Sequence, residues 1–332
     1  MTDKIMNKKF LFLAMLLLCS GSFAMAAKKA DDKKGEGKVI LTTFGDLHTG
    51  FGEARDDRGF NLDRAYLGYQ YNFNNGLELR TVADFGKSSQ VGDMQRIGFV
   101  KHAWVGWRKN GWSVFGGLIS TTQFKFQEDF WGKRYVMKSF QDEYKFGSSA
   151  DVGVSAAYKF NKILSVDAII VNGEGYKKIQ INDGLQYGLG VTLSPFEGFY
   201  LRAYGSYHEA TLPTEKGIGN IAGFAGYKND CFSLAAEYNY MWNNKNIEGD
   251  HLGGISAYGS VAAGKRTQIF ARWDKLDSKN DWNKEKDGMS AMAGVEVKLG
   301  KVKLAPNLRL WMPDDTQLKN VCELYINASF SL

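Results

Sequence analysis

Cysteine, proline and histidine are all scarce in this chain, at three, four and four of 332 residues. So few cysteines exclude a disulfide-dense scaffold. Cys19 lies in the N-terminal apolar run, and Cys231 and Cys322 are expected near opposite ends of their strands, unbonded. The histidines, His48, His102, His208 and His251, show no metal-ligand spacing with the cysteines. No metal and no other cofactor is therefore expected. A hydrolase needs a serine and a histidine within hydrogen-bond reach, oriented by a third group. His208 beside Ser206 comes nearest, and a same-face pair two apart arises by chance, so no catalytic residue is expected. The formal charge of +6 is too mild to argue for nucleic acid. Past the N-terminus no apolar run approaches the roughly 20 residues of a spanning helix. A closed barrel is still possible, since it also satisfies its backbone groups internally.

The N-terminus has its own signature. Asn7-Lys8-Lys9, the apolar run Phe10 to Leu18 and Ala24-Met25-Ala26 read as a secretory signal cut after Ala26. Met6 serves as a start as well as Met1. Residues 27–37 hold the solvated run Lys28 to Lys34 and are expected to be a disordered periplasmic segment. The cut removes 26 of the 332 residues and leaves enough for one large barrel or two ordinary domains, and residues 38–332 are read as the barrel.

What this remainder has in abundance is alternation. In Phe60 to Gly86, Ala65, Leu67, Tyr69, Tyr71 and Phe73 alternate with Tyr66, Gly68, Gln70 and Asn72. Period two is the strand period. Asn74-Asn75-Gly76 tolerates positive φ, and the alternation resumes from Leu77, which reads as a hairpin. The unit recurs to Leu332. Tight turns fall at Asn75, Asn110, Asn161, Glu197, Asn229, Gly264 and Gly300, and alternate with longer, mostly polar connections. That count gives sixteen strands. Short turns at one rim and long loops at the other mark an all-β, transmembrane, antiparallel up-and-down β-barrel of the Gram-negative outer membrane. The apolar row would face lipid and the charged row a wet lumen. Aromatics beside the tight turns, such as Trp112, Tyr158 and Phe199, would form a headgroup girdle. Pro306 falls mid-strand on the apolar row, where a bulge is expected.

Four short segments resemble the phosphate-selective porin O and P family: Phe60 to Leu67 (FNLDRAYL), Ala103-Trp104-Val105-Gly106-Trp107, Gly116-Gly117-Leu118 and Asn172-Gly173-Glu174-Gly175. The resemblance implies a sixteen-stranded outer-membrane porin, usually trimeric, that passes small anions and folds its third loop into the lumen.

A wide barrel leaves a water-filled lumen, so function lies in what narrows it. Thr122 to Ser149 is the third long connection and the longest. It is expected to fold inward as a constriction (residues 122–149) and carries Lys125, Lys133, Arg134 and Lys138. Opposite stand the inward wall cations Arg64, Arg80, Arg202, Arg272, Lys303 and Arg309, interleaved with acids in nearly equal number. The expected activity is passive diffusion of small hydrophilic solutes with weak anion preference, phosphate being one candidate solute. The expected partners are outer-membrane lipid, small anionic or polar solutes and two further copies of the chain. A barrel lipid hydrolase and a plugged barrel adhesin are the alternative readings.

Overall fold

A computed structural model describes residues 35–87, 96–180 and 182–332. The signal, and residues 27–34 of the segment expected to be disordered, lie outside the described residues. Sixteen antiparallel strands close into a barrel, each paired with its sequence neighbours and β1 (Glu36–Phe51) with β16 (Val321–Ser331). β1 starts two residues before the expected boundary at 38.

The remaining strands are β2 (Arg58–Asn72), β3 (Leu77–Lys87), β4 (Arg96–Lys109), β5 (Trp112–Ser120), β6 (Ala150–Lys159), β7 (Leu164–Val171) and β8 (Gln186–Leu193). They continue as β9 (Phe199–His208), β10 (Ile218–Lys228), β11 (Phe232–Trp242), β12 (Leu252–Ala262), β13 (Thr267–Ser278), β14 (Gly288–Leu299) and β15 (Val302–Pro313). All seven expected tight turns join consecutive strands at one rim. At Asn110-Gly111 both residues have positive φ, 53° and 82°, as a two-residue hairpin turn requires. Cys231 sits at a tight turn and Cys322 at the other end of its strand, both as free thiols.

Alternation sorts the side chains. Leu67, Leu189, Ile221, Ile255 and Ile269 are exposed on the outer face, while Arg202, Asn220, Glu237, Asp274 and Asn327 are buried on the inner one. Aromatic rings pair at the tight-turn rim, Trp112 with Tyr158 at 4.6 Å and Phe196 with Phe199 at 4.8 Å between centroids.

Two bulges disturb the alternation. Between Phe44 and Gly45 the β1–β2 register slips past Asp63, and between Val82 and Ala83 the β3–β4 register slips past Lys101. The bulge expected at Pro306 is not there. The β14–β15 ladder keeps one register from Gly294↔Asn307 to Val297↔Leu304 and merely lacks the pairs between. On its other side Pro306 pairs normally with Ile326. Proline removes a donor without adding a residue, so the ladder opens locally and does not slip.

Candidate functional site: the loop in the lumen

Between β5 and β6 the chain leaves the wall and forms two short helices, α1 (Lys125–Trp131) and α2 (Phe140–Glu143). Gly132 ends α1 in the left-handed region at φ 66°, its N–H donating to Glu128 O at 3.0 Å. The turn aims Phe130 and Trp131 at the inner face of β10–β14. There they pack with Tyr135 and Val136 against Phe224, Tyr258, Phe270 and Met292. Phe140 and Phe146 pack likewise against Met241, Leu252 and Leu276. Burying a large side chain of this kind contributes about 1.5–3 kcal/mol. Two apolar clusters thus hold the loop against one side of the lumen.

Polar bonds fix its height. Arg202 Nη2 donates to Thr122 O at 2.8 Å, Arg309 Nη2 to Val136 O at 2.7 Å, and Arg272 Nη1 to Lys138 O. Tyr135 donates its hydroxyl to Glu296 at 2.9 Å, and Lys133 its ammonium to Gln268 at 3.2 Å. Each clamping arginine is itself neutralised or oriented. Arg202 forks onto Asp167 at 2.6 and 3.0 Å, and Arg272 reaches Asp274 at 2.7 Å. Arg309 lies 3.7 Å from the Tyr325 ring centre and bonds Asn327 at 2.8 Å. Within the loop, Arg134 bridges Glu128 at 2.5 Å and Asp142. Burial opposes its charge, but Asp142 and Glu128 outweigh that and hold its pKa well above the usual value. Burial would raise Asp142, yet Arg134 holds it below the ordinary carboxylate range.

Beside the loop the lumen keeps two cavities. One, of about 560 Å³, lies on the β4–β9 side and is lined by Lys125, Asp129, Arg108, Asp167 and Arg202 among Ser and Thr hydroxyls. The other, of about 370 Å³, separates the loop from β1–β3 and β15–β16. Its walls bring together Arg134 and Lys138 of the loop with Arg64 and Arg309 of the barrel, and Asp46, Asp63, Asp84 and Glu143 interleave them.

The ten cations expected to narrow the pore therefore divide. Arg64, Arg134, Lys138 and Arg309 border the smaller cavity, and Lys125 and Arg202 the larger. Lys125 pairs with Asp129, and Lys138 with Glu143 at 3.7 Å. Lys133 is turned to the wall, 5 % exposed, and faces Lys303 across a third space near the tight-turn rim. Burial and the nearby Lys298, Lys228 and Lys303 lower its pKa, Glu296 opposing them. Arg272 is buried behind the loop, and Arg80 bonds Gln70 at 3.0 Å.

Sequence reasoning missed two cations. Lys101, 8 % exposed, is brought inside by its bulge and donates to the Tyr66 hydroxyl at 3.2 Å. It also sits 4.9 Å from the Tyr66 ring centre and 5.5 Å from that of Tyr176. Lys177, from the β7–β8 connection, lies 5.1 Å from the Phe99 ring centre, its pKa lowered by burial and then by Arg64. Between them Asp84, 1 % exposed, accepts from Arg64 at 2.7 Å and Tyr176 at 2.6 Å. A signal for Lys101 was available: strict alternation would have put its ammonium on the apolar row.

Of the pair singled out in the sequence, His208 Nε2 and Ser206 Oγ both lack a hydrogen-bond partner among the described residues. His48 lies between Asp46 at 2.6 Å and Asp57 at 3.3 Å, and His102 is 3.4 Å from Ser120 with its other ring nitrogen unpartnered.

No family model matches the chain, and no curated protein matches it. Solved structures do. It is similar to OmpF of Salmonella typhi (TM-score 0.68, 12 % identity, covering 91 % of this chain and 99 % of that one). It is likewise similar to the anion-selective porin of Comamonas acidovorans (TM-score 0.66, 10 % identity, 90 % and 100 % covered). The outer membrane channel DcaP of Acinetobacter baumannii aligns at TM-score 0.62 and 10 % identity, over 92 % and 99 %. At such identities the likeness is one of fold.

Proposed function

We propose that this chain is a porin of the Gram-negative outer membrane, through which small hydrophilic solutes diffuse with a weak preference for anions. The observation that carries the reading is the loop clamped inside a closed barrel whose outer row is apolar and whose inner row is charged. An apolar exterior is stable only against hydrocarbon, and a charged interior only against water. Anion preference rests on Arg64, Arg134, Lys138 and Lys177 around the smaller cavity, with Lys101 buried beside Tyr66 and Tyr176. Lys101 and Lys177 are held by ring faces and a phenol, with no carboxylate bonded to either ammonium among the described residues. The preference is weak because Asp84, Glu128, Asp142 and Glu143 neutralise the neighbouring cations. Phosphate as a favoured solute, and assembly into a trimer, are the finer readings that the four family-like segments suggest.

The test is a reversal potential across a planar bilayer in a tenfold salt gradient. Chloride is expected to permeate more readily than potassium, and a potential of the opposite sign would overturn the anion reading.

A further inference from the structure

At the long-loop mouth a cavity of about 140 Å³ lies between the descending end of the lumenal loop and two rim loops. Leu252 and Leu276 form its buried floor, and the Tyr144 and Trp282 rings stand on that floor as walls. Both rings are fixed. Trp282 Nε1 donates to His251 O at 2.8 Å, and Tyr144 packs on Phe140 at 4.7 Å between centroids. The Asn244 and Asn283 amides stand at the edge.

Three lysines also line this space, Lys145, Lys245 and Lys286, with one carboxylate, Glu143, which is paired with Lys138 at 3.7 Å. Among the described residues none of their ammonium groups makes an ion pair or a side-chain hydrogen bond. Their neighbours behave differently: Lys275 pairs with Asp314, Lys284 with Asp315 and Lys138 with Glu143. The local backbone is unusual as well. Of the seven non-glycine residues with positive φ among the described residues, Lys145, Asn243, Lys245, Asn246, Asn280 and Asp281 all lie in the loops around this cavity. Such conformations concentrate at ligand clamps.

We propose that this pocket binds an anionic monosaccharide, a sugar acid of the hexuronate type. Flat aromatic walls offer ring faces to the C–H side of a pyranose. Amides exchange hydrogen bonds with its hydroxyls, and unpaired ammonium groups meet a carboxylate with charge assistance. The cavity is well below the roughly 300 Å³ at which pockets for drug-sized ligands begin, so it takes one ring and not a chain. A simple inorganic anion would use the lysines and leave the rings idle. A neutral sugar would do the reverse. The inference goes beyond the channel reading and does not depend on it.

Saturation-transfer NMR on the full chain in detergent at low salt tests it, with sodium glucuronate, glucose and inorganic phosphate as probes. Glucuronate ring protons are expected to receive saturation with a dissociation constant on the order of 1 mM, glucose binding at least about tenfold more weakly. Phosphate should displace glucuronate only at much higher concentration. Trp282→Leu, and the triple variant Lys145→Gln/Lys245→Gln/Lys286→Gln, should each weaken glucuronate about tenfold or more while keeping the wild-type β-sheet circular dichroism and thermal melting, which certifies the barrel. Absence of transfer to glucuronate would overturn the proposal. So would equal binding of glucose, displacement by phosphate at equal concentration, or indifference to both variants. A wild-type chain that binds glucuronate yet opens no channel would instead overturn the channel reading alone.

Discussion

Lys101 shows how much one inserted residue changes. Strict alternation would send its ammonium into the apolar exterior, where a charge costs about 2–4 kcal/mol at mid-membrane depth. The bulge turns it into the lumen beside Tyr66 and Tyr176. No carboxylate bonds it among the described residues, so on the porin reading its charge is less neutralised than that of Arg202 or Arg272, which Asp167 and Asp274 pair. Lys101→Gln is therefore expected to lower the chloride-to-potassium permeability ratio about twofold, read from reversal potentials, whereas Lys125→Gln, already matched by Asp129, should change it little. Asp142 gives a pH prediction. Its pKa is depressed in the folded loop, so its stabilising pair with Arg134 is fully present above the ordinary Asp value of about 3.9 and is lost only as pH falls through the lower folded value. Open-channel noise should thus stay low down to about pH 4 and rise below it. In Asp142→Asn it should be high at neutral pH.

At the scale of elements, the strands were legible because each obeys one local rule. Period-two alternation between turn residues gave the count of sixteen strands and the place of all seven tight turns. Alternation is broken at Lys101, a break that reading by parity passes over, so both bulges were missed and one was wrongly expected at Pro306. The loop was legible as a long segment with mixed charge, but not in its attachment. Arg202, Arg272 and Arg309 look alike in sequence to free pore cations. Only the folded chain shows that they donate to Thr122, Lys138 and Val136 carbonyls. Arg309→Ala leaves the Val136 carbonyl without this donor inside the barrel, at a cost of roughly 1–3 kcal/mol. It is expected to raise current fluctuations while leaving the melting of the barrel nearly unchanged. Tyr135→Phe, which removes one bond to Glu296, should do the same more mildly, at about 1 kcal/mol. Quiet single-channel records from both variants would show that the apolar clusters alone seat the loop.

The whole molecule follows from closure. With β1 joined to β16 no edge is left, and sorting of side chains by parity gives an apolar outside and a charged inside in one operation. The loop then divides the interior into smaller spaces, among them those of about 560 and 370 Å³ with charged linings. On the proposed function selectivity would lie in those linings, and parity alone could not foretell how their ions pair. The most direct measurement is the single-channel current of the purified chain in a planar bilayer, beside a variant lacking residues 125–146. Discrete, long-lived open steps are expected from the natural chain, and larger steps from the shortened one. Silence from both, or steps of equal size, would contradict a water-filled barrel narrowed by its third loop.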